Sequence, residues 1–247
     1  GGGTSGFLFG AYPGKGGDFG GRGDYDNGGG GGALGGALFS YGGVVLARNS
    51  TFFNNFVTRG VAGGGNADNG ADAGGAIFSY SATLEVTDST FSGNQSTGSG
   101  GGIVVYNDYP SNGQVSVGSR FNLNGTIIAN NGANECYIKG PLTFGAGAGN
   151  LIMQNGVGNA PDGPFLPCQG VTKTSDPHLG PLQMNSPGNT PTMAIVPGSS
   201  AFNSADQKTS MLVDQRGVTR PQQGPSRPPQ GGFDIGAFEA RSPFGAP

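Results

Sequence analysis

The chain has 247 residues, of which 53 are glycine and 17 are proline, and only 11% are charged. Glycine costs about 1 kcal/mol relative to alanine in a helix interior, which argues against a helical protein, and the 16 phenylalanines and seven tyrosines argue against a disordered chain. The net charge of −3 with scattered basic residues gives no footprint for nucleic acid, and no apolar stretch approaches the roughly 20 residues that span a bilayer.

The first 34 residues are glycine-rich and carry scattered aromatic side chains, which predicts an N-terminal cap or arm. Aspartates in this tract and in a later glycine-rich stretch offer hard oxygen ligands on flexible backbone, so calcium is a weak possibility and no other cofactor is expected. Simple solvated loops are the alternative interpretation. The calcium candidates are Asp24, Asp26, Asp68 and Asp72.

Residues 35–160 contain a repeated unit. Each copy starts with a glycine-rich apolar segment, continues with a short apolar alternation and ends with a segment that closes on asparagine. The first segments are Gly35–Tyr41, Gly74–Tyr80 and Gly101–Tyr106; the middle ones are Val44–Leu46, Leu84–Val86 and Val115–Val117; the last ones are Ser50–Asn55, Ser89–Asn94 and Gly125–Asn130. Three short strands per copy predict an all-β, right-handed parallel β-helix with three-strand rungs, because a unit that cannot bury its own apolar face must stack on its neighbours.

Alternation within each strand predicts which side chains face inward. Equivalent positions should form two inner rows, one of Leu38, Ile77 and Ile103 and one of Phe52, Phe91 and Ile127. The asparagines that close each copy should form a hydrogen-bonded structural ladder of Asn55, Asn94 and Asn130.

The repeat fades after residue 131, and prolines interrupt nearly every short run from Pro161 onward. Proline cannot donate to a sheet interior, so residues 161–247 are predicted to form an irregular, proline-rich C-terminal cap that wraps the end of the stack. Cys136 and Cys168 are the only cysteines. In an exported protein they would form a disulfide, and two unpaired thiols are the alternative.

Several C-terminal motifs carry a family resemblance. The tracts Asp176–Leu182 and Thr190–Thr192, and above all Asp214–Pro221 followed by Phe233–Glu239, resemble the C-terminal region of bacterial "choice-of-anchor Q" proteins. The Gly-Gly-Ala-Ile and Thr-Phe-x-x-Asn units resemble those of polymorphic outer-membrane proteins. The resemblance covers roughly residues 35–240 and implies a β-helical, exported protein at the bacterial cell surface, without a uniform activity.

Charged residues concentrate in that terminal signature. Arginines and carboxylates form bidentate pairs that can hold a loop-rich region together, which favours a structural role over acid–base catalysis. The predicted ion-pairing residues are Asp214, Arg216, Arg220, Asp234 and Glu239. No catalytic residue is predicted.

The function expected from these features is that of a secreted, extracellular or cell-surface structural or adhesive protein without enzymatic activity. Unpaired strand edges at the ends of a solenoid favour self-association, in the form of end-to-end assembly into a filament or layer. The alternative is a carbohydrate-binding or polysaccharide-cleaving β-helix, which an outward row of Tyr41, Tyr80 and Tyr106 would favour as a sugar platform.

Overall fold

The computed structural model describes residues 14–107, 119–132, 134–145, 147–156, 158–160, 163–196, 198–222 and 232–240. These ranges contain 21 β-strands and no helix, which confirms the all-β prediction. It follows that no described segment is an apolar helix long enough to cross a membrane.

Three sheets dominate the fold, and each receives one strand from every copy of the repeat. The first sheet contains β2 (Leu38–Tyr41), β7 (Ile77–Tyr80), β11 (Ile103–Tyr106) and β14 (Cys136–Lys139). The second contains β3 (Val44–Arg48), β8 (Thr83–Thr87), β12 (Arg120–Asn124) and β15 (Thr143–Phe144). The third contains β4 (Thr51–Phe53), β9 (Thr90–Ser92), β13 (Ile127–Ala129), β16 (Asn150–Ile152) and, at its far edge, β19 (Val171–Lys173).

Short strands accompany these sheets. Two parallel pairs lie beside the repeats and one antiparallel pair lies in the C-terminal region. They are β1 (Ala33–Leu34) with β6 (Asp72–Ala73), β5 (Phe56–Val57) with β10 (Gln95–Ser96), and β20 (Leu179–Gln183) with β21 (Thr192–Ile195). The hairpin of β17 (Gly158–Ala160) and β18 (Gly163–Pro167) joins the first sheet antiparallel to β14.

All pairs between strands of successive copies are parallel. Leu38 lies opposite Ile77, and Ile77 lies opposite Ile103, as the repeat predicts. The inward side chains of all three sheets form one apolar core, in which Ile77, Leu84 and Phe91 are fully buried. Each short strand therefore buries its apolar side only because the neighbouring copies supply the rest of the core.

The third copy differs from the prediction by one residue in the third sheet. Phe91 pairs with Ile128 rather than with the predicted Ile127, whose side chain belongs to a separate apolar cluster. The predicted middle strand at 115–117 lies outside the described residues, and the strand that pairs with β8 is Arg120–Asn124. The insertion in this copy is therefore longer than the repeat pattern suggested.

Glycine is required at the corner that precedes the first sheet. Gly74 has a φ of +66°, which side chains with a Cβ rarely adopt. The next residue, Gly75, packs so closely that a Cβ there would collide with the carbonyl oxygen of Gly101 in the following copy. The Gly-Gly pair thus combines a sharp turn with a close approach between copies.

The C-terminal region lies partly at the far end of the stack, where the cap was predicted, and partly along its side. Residues 158–173 close the far edges of the first and third sheets, but the described residues from 174 onward, here called the C-terminal tract, lie on the outer face of the third sheet. Gly236 N donates to Gly125 O of the third copy at 2.7 Å, and Ala237 N donates to Thr90 Oγ1 of the second at 3.0 Å. The tract runs back along the copies because the outward residues Ile127 and Leu151 are apolar and require cover.

Candidate functional site

An asparagine ladder links three copies, and its third member is Asn131 rather than the predicted Asn130. Asn55 Nδ2 donates to Asn94 Oδ1 at 2.7 Å, and Asn94 Nδ2 donates to Asn131 Oδ1 at 2.7 Å. Asn130 is exposed with a φ of +64°. Beyond Asn131 the buried carboxylate of Glu135 takes over as acceptor from Asn131 N at 3.3 Å.

A second ladder, of corner hydroxyl groups, was not predicted from the sequence. Ser50 N donates to Ser89 Oγ at 3.3 Å, Ser89 N donates to Thr126 Oγ1 at 3.4 Å, and Thr126 N donates to Asn150 Oδ1 at 3.0 Å. Thr126 is therefore the equivalent of Ser89, which explains the one-residue offset of the third copy. The repeat pattern pairs Ser50 and Ser89 with Gly125, one position before Thr126.

Tyrosines do stack on the outer face of the first sheet. The ring centroids of Tyr41 and Tyr80 are 5.0 Å apart, and those of Tyr80 and Tyr106 are 5.4 Å apart. Phe19 of the N-terminal region packs edge-on against Tyr80 and Tyr106. As a result Tyr80 is 5% exposed whereas Tyr41 is 72% exposed. Tyr80 is therefore covered, Tyr106 is half-buried and Tyr41 alone of the three is exposed, which weakens the interpretation as a sugar platform.

The calcium candidates do not converge. Asp24 accepts hydrogen bonds from Asn27 N and Asn66 N, which lower the pKa of its carboxyl and tie two loops together. Asp68 pairs with Arg22 at 3.4 Å, and Asp26 contacts Asp24 through its backbone, with Asp26 N donating to Asp24 Oδ1 at 3.0 Å. Asp72 is buried and accepts from Thr97 Oγ1 and from Gly98 N. Within the described residues, no three His, Cys, Asp or Glu side chains are arranged to hold a metal ion.

Cys136 and Cys168 form a disulfide, as predicted, with their Cα atoms 5.8 Å apart. Cys136 is the first residue of β14, and Cys168 directly follows β18. The bond therefore ties the closing hairpin to the repeat at its far end. A cross-link of this kind is typical of proteins that mature in an oxidising compartment.

The terminal signature brings its five predicted charges together around the end of the C-terminal tract. Arg216 Nη2 donates to Asp214 Oδ2 at 2.6 Å, and the guanidinium lies 3.6 Å from the centroid of the Phe238 ring. Arg220 Nη1 donates to Glu239 Oε2 at 3.1 Å and to Asp234 O at 2.8 Å. Four of the predicted residues thus form two ion pairs, whereas the carboxylate of Asp234 accepts from Asn203 N and Ala240 N.

Several carboxyl groups are buried in this region. Burial raises the pKa of Asp234 to about 7, and it also raises the pKa of Glu239. Burial raises the pKa of Asp88 to about 6 and that of Glu135 to about 7. Each of these side chains accepts backbone N–H groups. Loss of solvent around each carboxyl group is the largest cause of these raised pKa values.

The most unusual surface lies at the first copy, where β2, β3 and β4 are the edge strands of all three main sheets. Core side chains that are fully buried in the second copy are partly exposed here: Leu38, Val45 and Phe52 replace Ile77, Leu84 and Phe91 at the edge. Large apolar side chains that are exposed in this copy are Phe39, Tyr41, Val44, Leu46, Phe53 and Phe56. We call this surface the open edge.

A groove of about 450 Å³ borders the open edge beside β4. One wall is formed by Thr51, Phe53 and Asn55, and the other by Thr190 and Gln215 of the C-terminal tract. Thr51 Oγ1 donates to Gln215 Oε1 at 2.6 Å, so the tract is fixed where it reaches this end. The groove leaves room next to the unpaired edge of β4, and this geometry can accept an added strand.

Comparison with family models, with curated proteins and with solved structures finds no match to this chain.

Proposed function

We propose that this chain is a right-handed parallel β-helix that acts as a structural element outside the cell, without catalysis of its own, and that it associates with other chains through its open edge. The three main sheets support the architecture, because every copy contributes one strand to each of them in the same order. Successive strands in parallel register are what stacked three-strand rungs require.

The observation that carries the proposal is the open edge. Edge strands with exposed apolar side chains are templates for pairing with another chain, and soluble proteins ordinarily protect them with charges, prolines or covering segments. Twelve residues make up β2, β3 and β4, and Arg48 is the only charged one among them. The same molecule protects its far end with a hairpin, so the contrast between the two ends favours a surface kept for association.

The extracellular location rests on the disulfide and on the shortage of charge. The Cys136–Cys168 bond would not persist in a reducing cytosol. The hydrogen-bonded ladders and the C-terminal tract connect the successive copies, which suits a load-bearing or adhesive surface element.

Sedimentation of the purified chain over a range of concentrations tests the association. We expect a concentration-dependent shift to larger species that is lost in Leu46→Lys, since Leu46 is an exposed residue at the centre of an edge strand and a lysine there blocks pairing. Val61→Lys, at an exposed loop position, is the matched control and should associate like the parent. A parent chain that stays monomeric at every concentration contradicts the proposal.

A further inference from the structure

We infer that two copies of this chain join head to head through their open edges, as a closed two-fold dimer rather than as an end-to-end filament. The inference rests on the proposed function and specifies its partner and its symmetry. It starts from the difference between the two ends of the stack.

The far end does not offer the surface that a filament needs. Head-to-tail stacking requires a strand that continues each main sheet in parallel, but β14 at the far side of the first sheet is already paired with the antiparallel β18. The other side of β18 is paired with the three-residue β17, so the first sheet ends in an antiparallel hairpin and not in a strand that continues the stack. In the second sheet the last strand, β15, has two residues against five in β3.

The open edge, in contrast, carries side chains that suit contact with another strand of the same sequence. On its paired side it already stacks on equivalent residues: Phe39 lies against Phe78 with centroids 6.0 Å apart, and Phe52 lies against Phe91 at 4.4 Å. A second copy presents the same apolar pattern with almost no charge. Since the far end carries the hairpin on its first sheet and only two residues in the last strand of its second, the partner's matching surface is its own open edge.

Two-fold symmetry determines how the strands meet. A two-fold axis perpendicular to the stack reverses strand direction, so the edges pair antiparallel, which is a stable arrangement for two strand edges. The longest edge strand, β3, is centred on Leu46 and would pair with β3 of the second copy. The three sheets surround one core, so β2 of each copy then meets β4 of the other copy and occupies the groove beside Gln215.

No like charges face each other in this pairing. With Leu46 opposite Leu46 of the second copy, Val44 lies opposite Arg48 and Val45 lies opposite Ala47. Arg48 is already paired with Glu85 of its own chain, with 3.6 Å between Nη2 and Oε2. The exposed Val44 and Leu46 side chains gain apolar neighbours on the outer face.

Disulfide trapping tests the arrangement. Directly opposed residues of an antiparallel pair have Cβ atoms about 5 Å apart, within reach of a disulfide. Under mild oxidation Leu46→Cys should give a covalent dimer, because the two-fold arrangement places the two new thiols opposite each other, whereas head-to-tail stacking would keep them at opposite ends of neighbouring chains. The control Val61→Cys, in an exposed loop, should cross-link many-fold less under the same conditions.

Size-exclusion chromatography with mass measurement of the unmodified chain completes the test. A dimer that does not grow at high concentration agrees with the inference. A series of larger polymers, or a dimer in which Leu46→Cys does not cross-link, overturns the two-fold arrangement while leaving self-association intact. Monomers at all concentrations overturn both this inference and the proposed function.

Discussion

At the residue scale, small polar side chains bind one copy of the repeat to the next. Asn94 illustrates this role, because its amide accepts from Asn55 and donates both to Asn131 Oδ1 and to the backbone oxygen of Phe52. The side chain is fully buried, so no water replaces these partners when they are lost.

We therefore expect Asn94→Ala to lower the free energy of unfolding by about 2–4 kcal/mol, since it leaves several buried polar groups without partners. Urea denaturation of both proteins measures the difference. Asn130→Gly is the matched control, because Asn130 is exposed and has a left-handed φ that glycine adopts readily, and it should change the free energy by less than about 0.5 kcal/mol. Equal losses in the two variants would place Asn130 in the ladder and contradict the structure.

The ladder also shows why the sequence predicts a repeat better than it predicts its register. Asn130 and Asn131 are adjacent and chemically identical, and the letters around them allow either alignment. What decides between them is the corner before the strand, where Thr126 takes the place of Ser89 and accepts from Ser89 N. Contacts between copies thus select the register, so the sequence of a single copy does not predict it.

At the element scale, the inner rows depend on their position in the stack. Phe91 is fully buried between neighbouring copies, whereas Phe52, with the same chemistry and the same orientation, lies at the open edge and is only partly buried. A side chain of the inner row is therefore more buried in the middle of the stack than at the open edge.

This difference predicts unequal costs for the same truncation. Phe91→Ala should lower the free energy of unfolding by about 3–5 kcal/mol, as for a buried phenylalanine, and Phe52→Ala should cost clearly less in the monomer. Thermal or urea unfolding at a concentration below the association range measures both. If Phe52→Ala costs as much as Phe91→Ala in monomeric protein, the edge is covered within a single chain.

The sequence predicted the elements of the repeat but not the path of the C-terminal tract. Alternation predicts the inward side of the strands in the first two copies, but in the third sheet of the third copy Ile128 faces the core and the predicted Ile127 does not. The terminal charges are predicted to have a structural role. The outward apolar residues Ile127 and Leu151 were the signal that the third sheet needed a cover. The proline-rich tract has no periodicity of its own, so its route is determined by contacts with distant residues such as Asp88 and Thr90.

At the scale of the whole molecule, the buried carboxyl groups determine how stability depends on pH. Asp88, Glu135 and Asp234 lie along the stack where the C-terminal tract and the last copy pack, and burial raises all three pKa values, to about 6, 7 and 7. A group that holds its proton more tightly in the folded state stabilises that state when protonated.

Their contribution is therefore complete at low pH, below the values of the unfolded chain near 4, and is lost as the pH rises through the folded values. We expect the melting temperature to fall between about pH 5 and pH 8, since the folded chain carries more protons than the unfolded chain throughout this range. Asp88→Asn keeps the shape, and asparagine tolerates the φ of +46° at this corner, so this variant should have a shallower slope. A melting temperature that rises across this range would mean that the carboxylates are ionised and satisfied by their backbone donors and by Arg220, and that the tract is held by charge rather than by packing.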